Sequence, residues 1–256
     1  MRARYWTGYT TIVRKEIRRF MRIWPQTLLP PAITTSLYFL IFGTLIGKRI
    51  GTMGGYAYMD FIVPGLILLA VITNAYTNVS TSFYSTKFQR HIEELLVSPL
   101  PDWLIVAGYV TGGATRGVAV AIVVTGVAMV FANPVFLHPL LMVVVVVMTA
   151  MLFALAGFLN ALFARSFDDI SIMPTFVLTP LTYLGGVFYS ADLLPDPWQT
   201  ISYANPILYM VNALRFAVLG VSDIPVSSAL TLIMVFLIAF AWLSVHLMRR
   251  GFGIKT

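Results

Sequence analysis

The side chains that stand out in this sequence are carboxamides and hydroxyls set inside apolar runs. Asn74, Thr77, Asn78, Thr81, Ser82 and Ser85 recur at three- and four-residue spacing, which lines them along one side of a helix. Thr175, Thr179 and Thr182 repeat the pattern, and Thr34 and Tyr38 lie one helical turn apart. The chemistry these groups offer is hydrogen bonding. Facing hydrocarbon they would be left unsatisfied at a cost, so the stripes must face protein or a cavity. Hydrogen bonds between helices account for most of the serines and threonines. Asn74 and Asn78, two carboxamides one turn apart, are harder to satisfy in that way and are the better candidates to line a pathway.

Catalytic arrangements are missing from the sequence. It holds no cysteine, which excludes thiolate metal sites, disulfides and Cys nucleophiles. His91, His138 and His246 are far apart, with no ligand partner at helical spacing, so no metal site is expected. The nearest approach to a phosphate-binding loop is Gly43-Thr44-Leu45-Ile46-Gly47-Lys48-Arg49. It is one residue short between the glycines and has Arg where Ser or Thr must hold magnesium. No G-x-S-x-G and no Ser–His pairing occur. The acidic residues fall in loops or at the ends of apolar runs, so the mid-membrane carboxylate of an ion-coupled carrier is not expected either.

The elements carrying these residues are apolar helices. Of 256 residues 59% are hydrophobic and 11% charged, with a mean hydropathy of +0.85. A soluble domain of this size lacks the interior to hide that much apolar side chain. Six runs are long enough to cross ~30 Å of hydrocarbon, near 25–47, 61–83, 104–131, 138–163, 172–190 and 226–248. The expected fold is an all-α polytopic membrane protein, a single transmembrane domain over 1–256. The first run is too long for a cleaved signal and reads as a retained span.

Loop charges orient it. Six spans put both termini on one side, which carries thirteen of the seventeen Lys and Arg, from Arg2 to Lys255. The other side carries Lys48, Arg49 and Arg215. By the positive-inside rule the termini are cytoplasmic, and the net charge of +7 needs no nucleic acid to explain it. Arg116 falls within the third run and is expected near the inner leaflet, snorkelling toward the headgroups. Gly108, Gly112, Gly113 and Gly117, and Ala150, Ala154, Gly157 and Ala161, make faces for close helix packing without specifying a dimer.

Three segments lie outside the spans. Residues 1–24 form an amphipathic interfacial helix, with Tyr9, Val13, Ile17, Phe20 and Trp24 on one face and Arg14, Arg18 and Arg22 on another. It is a surface anchor, alone or with a partner contact. In the cytoplasmic loop 84–103, Phe88, Ile92, Leu95 and Leu96 share one face of a short helix decorated by Lys87, Arg90, Glu93 and Glu94 and stopped by Pro99 and Pro101. Too small for its own core, that helix packs either on its own bundle or on a partner. The segment 191–225, split at Asn205-Pro206, reads as two short re-entrant outer helices.

These residues support a family resemblance. Leu178, Leu181, Leu184-Gly185, Val187, Leu194-Pro195, Pro206-Ile207, Tyr209 and Arg215 resemble the signature of the type-2 ABC exporter permeases. Glu93-Glu94-Leu95-Leu96-Val97-Ser98-Pro99-Leu100 is similar to that family's loop between its second and third spans, and Ser166-Phe167-Asp168-Asp169 is similar too. The branch it looks most like is the small bacterial permeases grouped with nodulation and multidrug exporters. The resemblance implies a homodimer in the bacterial inner membrane, driven by two copies of a separate cytosolic ATPase that holds ATP and Mg. It implies that Phe88, Arg90, Ile92, Glu93, Glu94, Leu95 and Leu96 couple to that ATPase. Leu194, Pro195, Pro206, Tyr209 and Arg215 would form an outer gate. Thr34, Tyr38, Asn74, Thr77, Asn78, Thr175, Thr179 and Thr182 would line the pathway. A stand-alone carrier or channel, or a membrane scaffold, are the competing readings. The lining so read is polar and uncharged, which suits amphiphiles, lipid-linked sugars and drugs alike.

Overall fold

The computed structural model describes residues 2–253; Lys255, counted above with the cytoplasmic-side cations, lies outside them. Apart from a small antiparallel hairpin, β1 (Thr52–Met53) with β2 (Tyr56–Ala57), the described chain is helical. Five helices are long and apolar enough to cross a bilayer: α2 (Trp24–Ile50), α3 (Tyr58–Phe88), α5 (Asp102–Phe131), α6 (Pro139–Phe163) and α11 (Val226–Arg249). The expected runs 25–47, 61–83, 104–131 and 226–248 lie inside these helices, and 138–163 begins one residue before α6. Shorter helices complete the chain: α1 (Arg2–Arg22), α4 (Ile92–Val97), α7 (Phe167–Met173), α8 (Thr179–Tyr183), α9 (Trp198–Tyr203) and α10 (Pro206–Leu219).

Prolines shape the irregular helices. Pro30 and Pro31 remove backbone donors from α2, which is π-helical from Phe39 to Ile46. The run expected at 172–190 is not one helix. It starts earlier, at Phe167, where Ser166 caps it: the Ser166 hydroxyl accepts from the Asp169 N–H (3.1 Å) and the Asp169 carboxylate accepts from the Ser166 N–H (3.1 Å). A π turn, Pro174–Leu178, joins α7 to α8. Pro174 cannot donate to the Ile170 carbonyl, and the Asn160 side-chain amide donates to it instead (3.1 Å). Helix ends at Tyr183, before a turn with Gly186 at φ 70°.

Helix α3 is the centre of the bundle, packed against α5, α6 and α10. The small residues are used within the chain. Gly113 and Gly117 of α5 meet Val79 and Ala75 of α3 and Ala154 and Ala150 of α6, while Gly157 lets α6 rest on the α3 backbone at Tyr76. One core cluster fills one end of the bundle around Ile62, Ile67 and Leu214; another, around Phe83, Tyr109 and Phe158, fills the end near α4. Helix α10 is buried along most of its length.

Two expectations about amphipathic faces are corrected. In α1 the buried residues are Ile12, Glu16 and Phe20, a face one step round from the predicted one; Trp24 is exposed and begins α2. That face packs on α5, where Gly108 and Gly112 leave room for Ile12 and Glu16. In the loop, Phe88 ends α3, and Arg90 at φ 61° breaks the chain direction before α4, so Phe88 does not share a helix with Ile92. Ile92 is buried in the bundle's own core and Leu95 packs beside it, whereas Leu96 and Val97 face outward.

Candidate functional site: a polar cleft between α2, α3 and α7–α8

A cavity of about 450 Å³ opens between the first long helix, the central helix and the broken α7–α8 run. Of the predicted lining residues, Thr34 and Tyr38 of α2, Asn74 and Thr77 of α3, and Thr179 and Thr182 of α8 meet in it. Thr175 faces outward and does not line it; Asn78 lies fully buried behind Asn74. Leu66, Leu69, Ala70, Leu178 and prolines 30, 31 and 174 supply apolar wall. Tyr38 and Tyr183, which line it, approach each other with their hydroxyls 3.5 Å apart, and Tyr38 and Phe42 pack on Phe188 with centroids 5.5 and 4.7 Å apart.

Most hydroxyl donors here are spent on their own helices. Thr77 donates to the Thr73 carbonyl (2.6 Å), Thr179 to Pro174 (2.8 Å) and Thr182 to Thr179 (2.8 Å). Their lone pairs remain for a guest. Asn74 gives its amide to the Ala70 carbonyl (3.0 Å), leaving its oxygen free to accept from elsewhere.

That donor is Arg116. Its Nη2 donates to Asn74 Oδ1 (3.1 Å) and its Nη1 to Asn78 Oδ1 (3.4 Å), and its side chain lines the cavity. The expected snorkelling arginine is therefore corrected. Arg116 stands midway along α5 and turns inward, because two carboxamides of α3 offer acceptors that hydrocarbon does not.

A second group was missed by sequence reading. Glu16 of α1 is 0% exposed; it accepts from the Ser82 hydroxyl (2.8 Å) and pairs with Arg19 (3.1 Å). Arg19 in turn donates to both the carbonyl (3.0 Å) and the side-chain oxygen (2.9 Å) of Asn78. A polar chain thus runs from α1 through Asn78 to Arg116 at the cavity. The signal was present: Glu16 is the one acid of α1, spaced four residues from Ile12 and from Phe20, on the buried face.

The predicted coupling residues gather at the other end of α3 from the hairpin. Phe88 is exposed and sits edge-on to Phe167 (5.2 Å between centroids). Glu93 and Glu94 occupy the first turn of α4, where acids suit the helix dipole. Exposed Trp103, Phe163 and Phe252 are among the apolar side chains there. Lys87 binds the carbonyls that end α6, at Ala161 (3.3 Å), Leu162 (3.1 Å) and Ala164 (2.6 Å).

The predicted gate residues divide. Leu194 and Tyr209 are half-buried, Pro195 is exposed, and Pro206 begins α10. Arg215, counted above as an outer-side cation, is instead buried. It lies over the Phe61 ring (4.0 Å), donates to the Gly186 carbonyl (2.5 Å) and faces Asp223 (3.8 Å). It ties α10 to α3 and to the turn after α8.

A bundle of bilayer-length apolar helices with a polar cleft open among them is the architecture of a multi-pass membrane protein. Residues 7–219 match the ABC-2 type transporter family, and the chain belongs to it. It is an inner membrane transport permease of that family. The chain is 55% identical over 253 residues to the inner membrane transport permease YadH of Escherichia coli (strain K12), covering 98% of each. It is 26% identical over 215 residues to nodulation protein J of Rhizobium leguminosarum bv. trifolii, covering 84% of this chain and 82% of that one. To nodulation protein J of Neorhizobium galegae it is 23% identical over 249 residues, covering 95% and 93%.

Proposed function

We propose that the chain is the membrane subunit of an ATP-binding cassette exporter, and that two copies enclose the translocation pathway while two copies of a separate cytosolic ATPase drive it. The observation that carries this reading is the cleft itself: six of the eight predicted lining residues meet in one cavity between α2, α3 and α8, with Arg116 of α5 beside them. The chain is one domain. Its fifth span, near 172–190, runs from the end of α7 through α8, with α9 and α10 as outer re-entrant elements and both termini in the cytoplasm.

The energy source lies outside the chain, since the near-miss at Gly43–Arg49 is wound into the end of α2, π-helical to Ile46 and α-helical after it, and cannot cradle phosphates. ATP and Mg belong to the partner. Its seat is the apolar patch around Phe88, Leu96, Val97 and Phe167, flanked by Arg90, Glu93 and Glu94. Exposed aromatics and aliphatics among charges are the composition of a docking surface. Ile92 and Leu95 support that surface from within. Leu194, Pro195, Pro206 and Tyr209 stand at the opposite end as the gate, braced by Arg215.

The test is purification at native expression in a mild detergent. The expected result is a cytosolic ATPase in equal amount, with two copies of each subunit by mass. Recovery of the permease alone, in a detergent shown to preserve a known complex, would make a stand-alone carrier or a scaffold the reading to pursue.

A further inference from the structure

Among the described residues, Arg116 is the charged one lining the cleft. Among the described residues the ion pairs are Arg19 with Glu16 and Arg215 with Asp223; Arg116 has no such partner. What it has are two carboxamide oxygens, Asn74 and Asn78, which orient the guanidinium without neutralising it. Its Nε is buried and has no hydrogen-bond partner. The adjoining charges do not cancel it either. Glu16 is engaged by Arg19 and Ser82, and Arg19 reaches the same Asn78 oxygen as Arg116, so the three charges sum to one positive. An uncompensated cation at mid-helix in a membrane protein is costly, and its field in a low-dielectric cleft is strong.

Around that charge the cleft is amphipathic. Thr73 and Thr77 spend their hydroxyl protons on the Leu69 and Thr73 carbonyls, which leaves Arg116 to supply the charged donors, and Leu66, Leu69 and Leu178 form the apolar wall. A volume of about 450 Å³ holds a small headgroup with the first part of a chain, not a folded peptide.

We propose that this cleft takes an anionic amphiphile, with a phosphate or carboxylate on Arg116 and its apolar chain along Leu66 and Leu69 of α3, Leu178 before α8, and Pro30 and Pro31 of α2. The inference rests on the permease reading and deepens it by naming the substrate class. A guanidinium is suited to such anions, because its planar fork of donors matches two oxygens at once. The two carboxamides hold that fork ready, which spares the ordering a free arginine would lose on binding. A cationic guest is repelled, and a neutral one leaves the charge unpaired.

Binding is measured on the purified permease in neutral detergent, with fluorescently labelled phosphatidic acid, the diacylglycerol of identical chains, and inorganic phosphate. This needs no ATPase, so its failure is separable from failure of the co-purification test. The expected result is phosphatidic acid bound about tenfold or more tighter than diacylglycerol, a preference lost in Arg116→Gln and partly kept in Arg116→Lys. Asn74→Asp supplies a near-isosteric internal anion at the same contact. It should abolish the preference with the thermal midpoint unchanged or raised, which guards against a misfolded Arg116 variant. Equal binding of the two lipids by the unmodified protein overturns the proposal. So does a preference that survives both Arg116→Gln and Asn74→Asp, which leaves Arg116 as a helix–helix tie. Inorganic phosphate bound as tightly as the lipid overturns the amphiphile and points to a free anion.

Discussion

Helix α1 packs on the bundle through Ile12 and Phe20 and is tied to α3 by one buried carboxylate, Glu16, whose removal should loosen that helix. In Glu16→Ala, Ser82 loses its acceptor, Arg19 loses its ion partner, and a void opens beside Gly112. Breaking a buried pair costs about 3–5 kcal/mol. Arg19 is 34% exposed and keeps both Asn78 oxygens, so the figure falls to about 2–3 kcal/mol. Glu16→Gln keeps the shape and one acceptor and should cost about 1 kcal/mol, the difference between a charged and a neutral hydrogen bond. Ser82→Ala should be felt in the unmodified protein and nearly vanish in the Glu16→Ala background, because both changes remove one contact. The assay is the thermal midpoint in a single detergent, with the exposed Thr11→Ala as control. Limited trypsin cleavage at Arg14, Lys15 and Arg18 reports on α1 itself and should speed up in Glu16→Ala. A midpoint and cleavage rate matching Thr11→Ala, or a Ser82 effect that stays additive, would refute the reasoning.

Three further outcomes are expected. Gly157→Ala drives a methyl into the Tyr76 carbonyl of the central helix and should lower stability by about 1–3 kcal/mol, whereas Gly126→Ala, with nothing within 4 Å, should be neutral or stabilising; equal midpoints would contradict the packing. Val97→Asp, at a side chain 87% exposed, should abolish ATPase recovery on purification without moving the midpoint, while Leu95→Asp, set against the core, should lower both; full recovery with Val97→Asp removes that residue from the docking surface. The backbone N–H of Arg165, and then Ser166, hold the Asp169 carboxyl below the usual carboxylate range. A pKa depressed in the folded state gives a contribution that is full above the unfolded value and lost as pH falls through the folded one. Hydrogen-exchange protection of Phe167–Met173 should therefore be flat from pH 7 to 5 and fall only below about 4; loss between 7 and 5 would contradict the cap.

The long helices were legible because hydrocarbon permits only one solution to backbone hydrogen bonding, and apolar run length reports it directly. Thr34, Tyr38, Asn74, Thr77, Thr179 and Thr182 could be foreseen at the cleft for the same reason: a polar stripe on an apolar helix has to face something other than lipid. What helical spacing does not encode is which neighbour a stripe meets. Charge counting gave Arg215 to the outer loops, and the length of the third run gave Arg116 to the headgroups. Only packing shows that Phe61 and Gly186 surround the first, and that Asn74 and Asn78 draw in the second. The loop helix failed for a local reason. Spacing joins Phe88 to Ile92 only if the backbone stays helical between them, and Arg90, in the left-handed region, parts them. Glu16 shows the converse case. Its isolation among cations on an apolar face was visible in the sequence, and its meaning followed once Gly112 and Ser82 were seen to form its socket. A charge on the wrong face of a helix is thus a prediction of a partner, and in this permease the partners of Glu16 and Arg116 meet at Asn78, on the helix that lines the cleft.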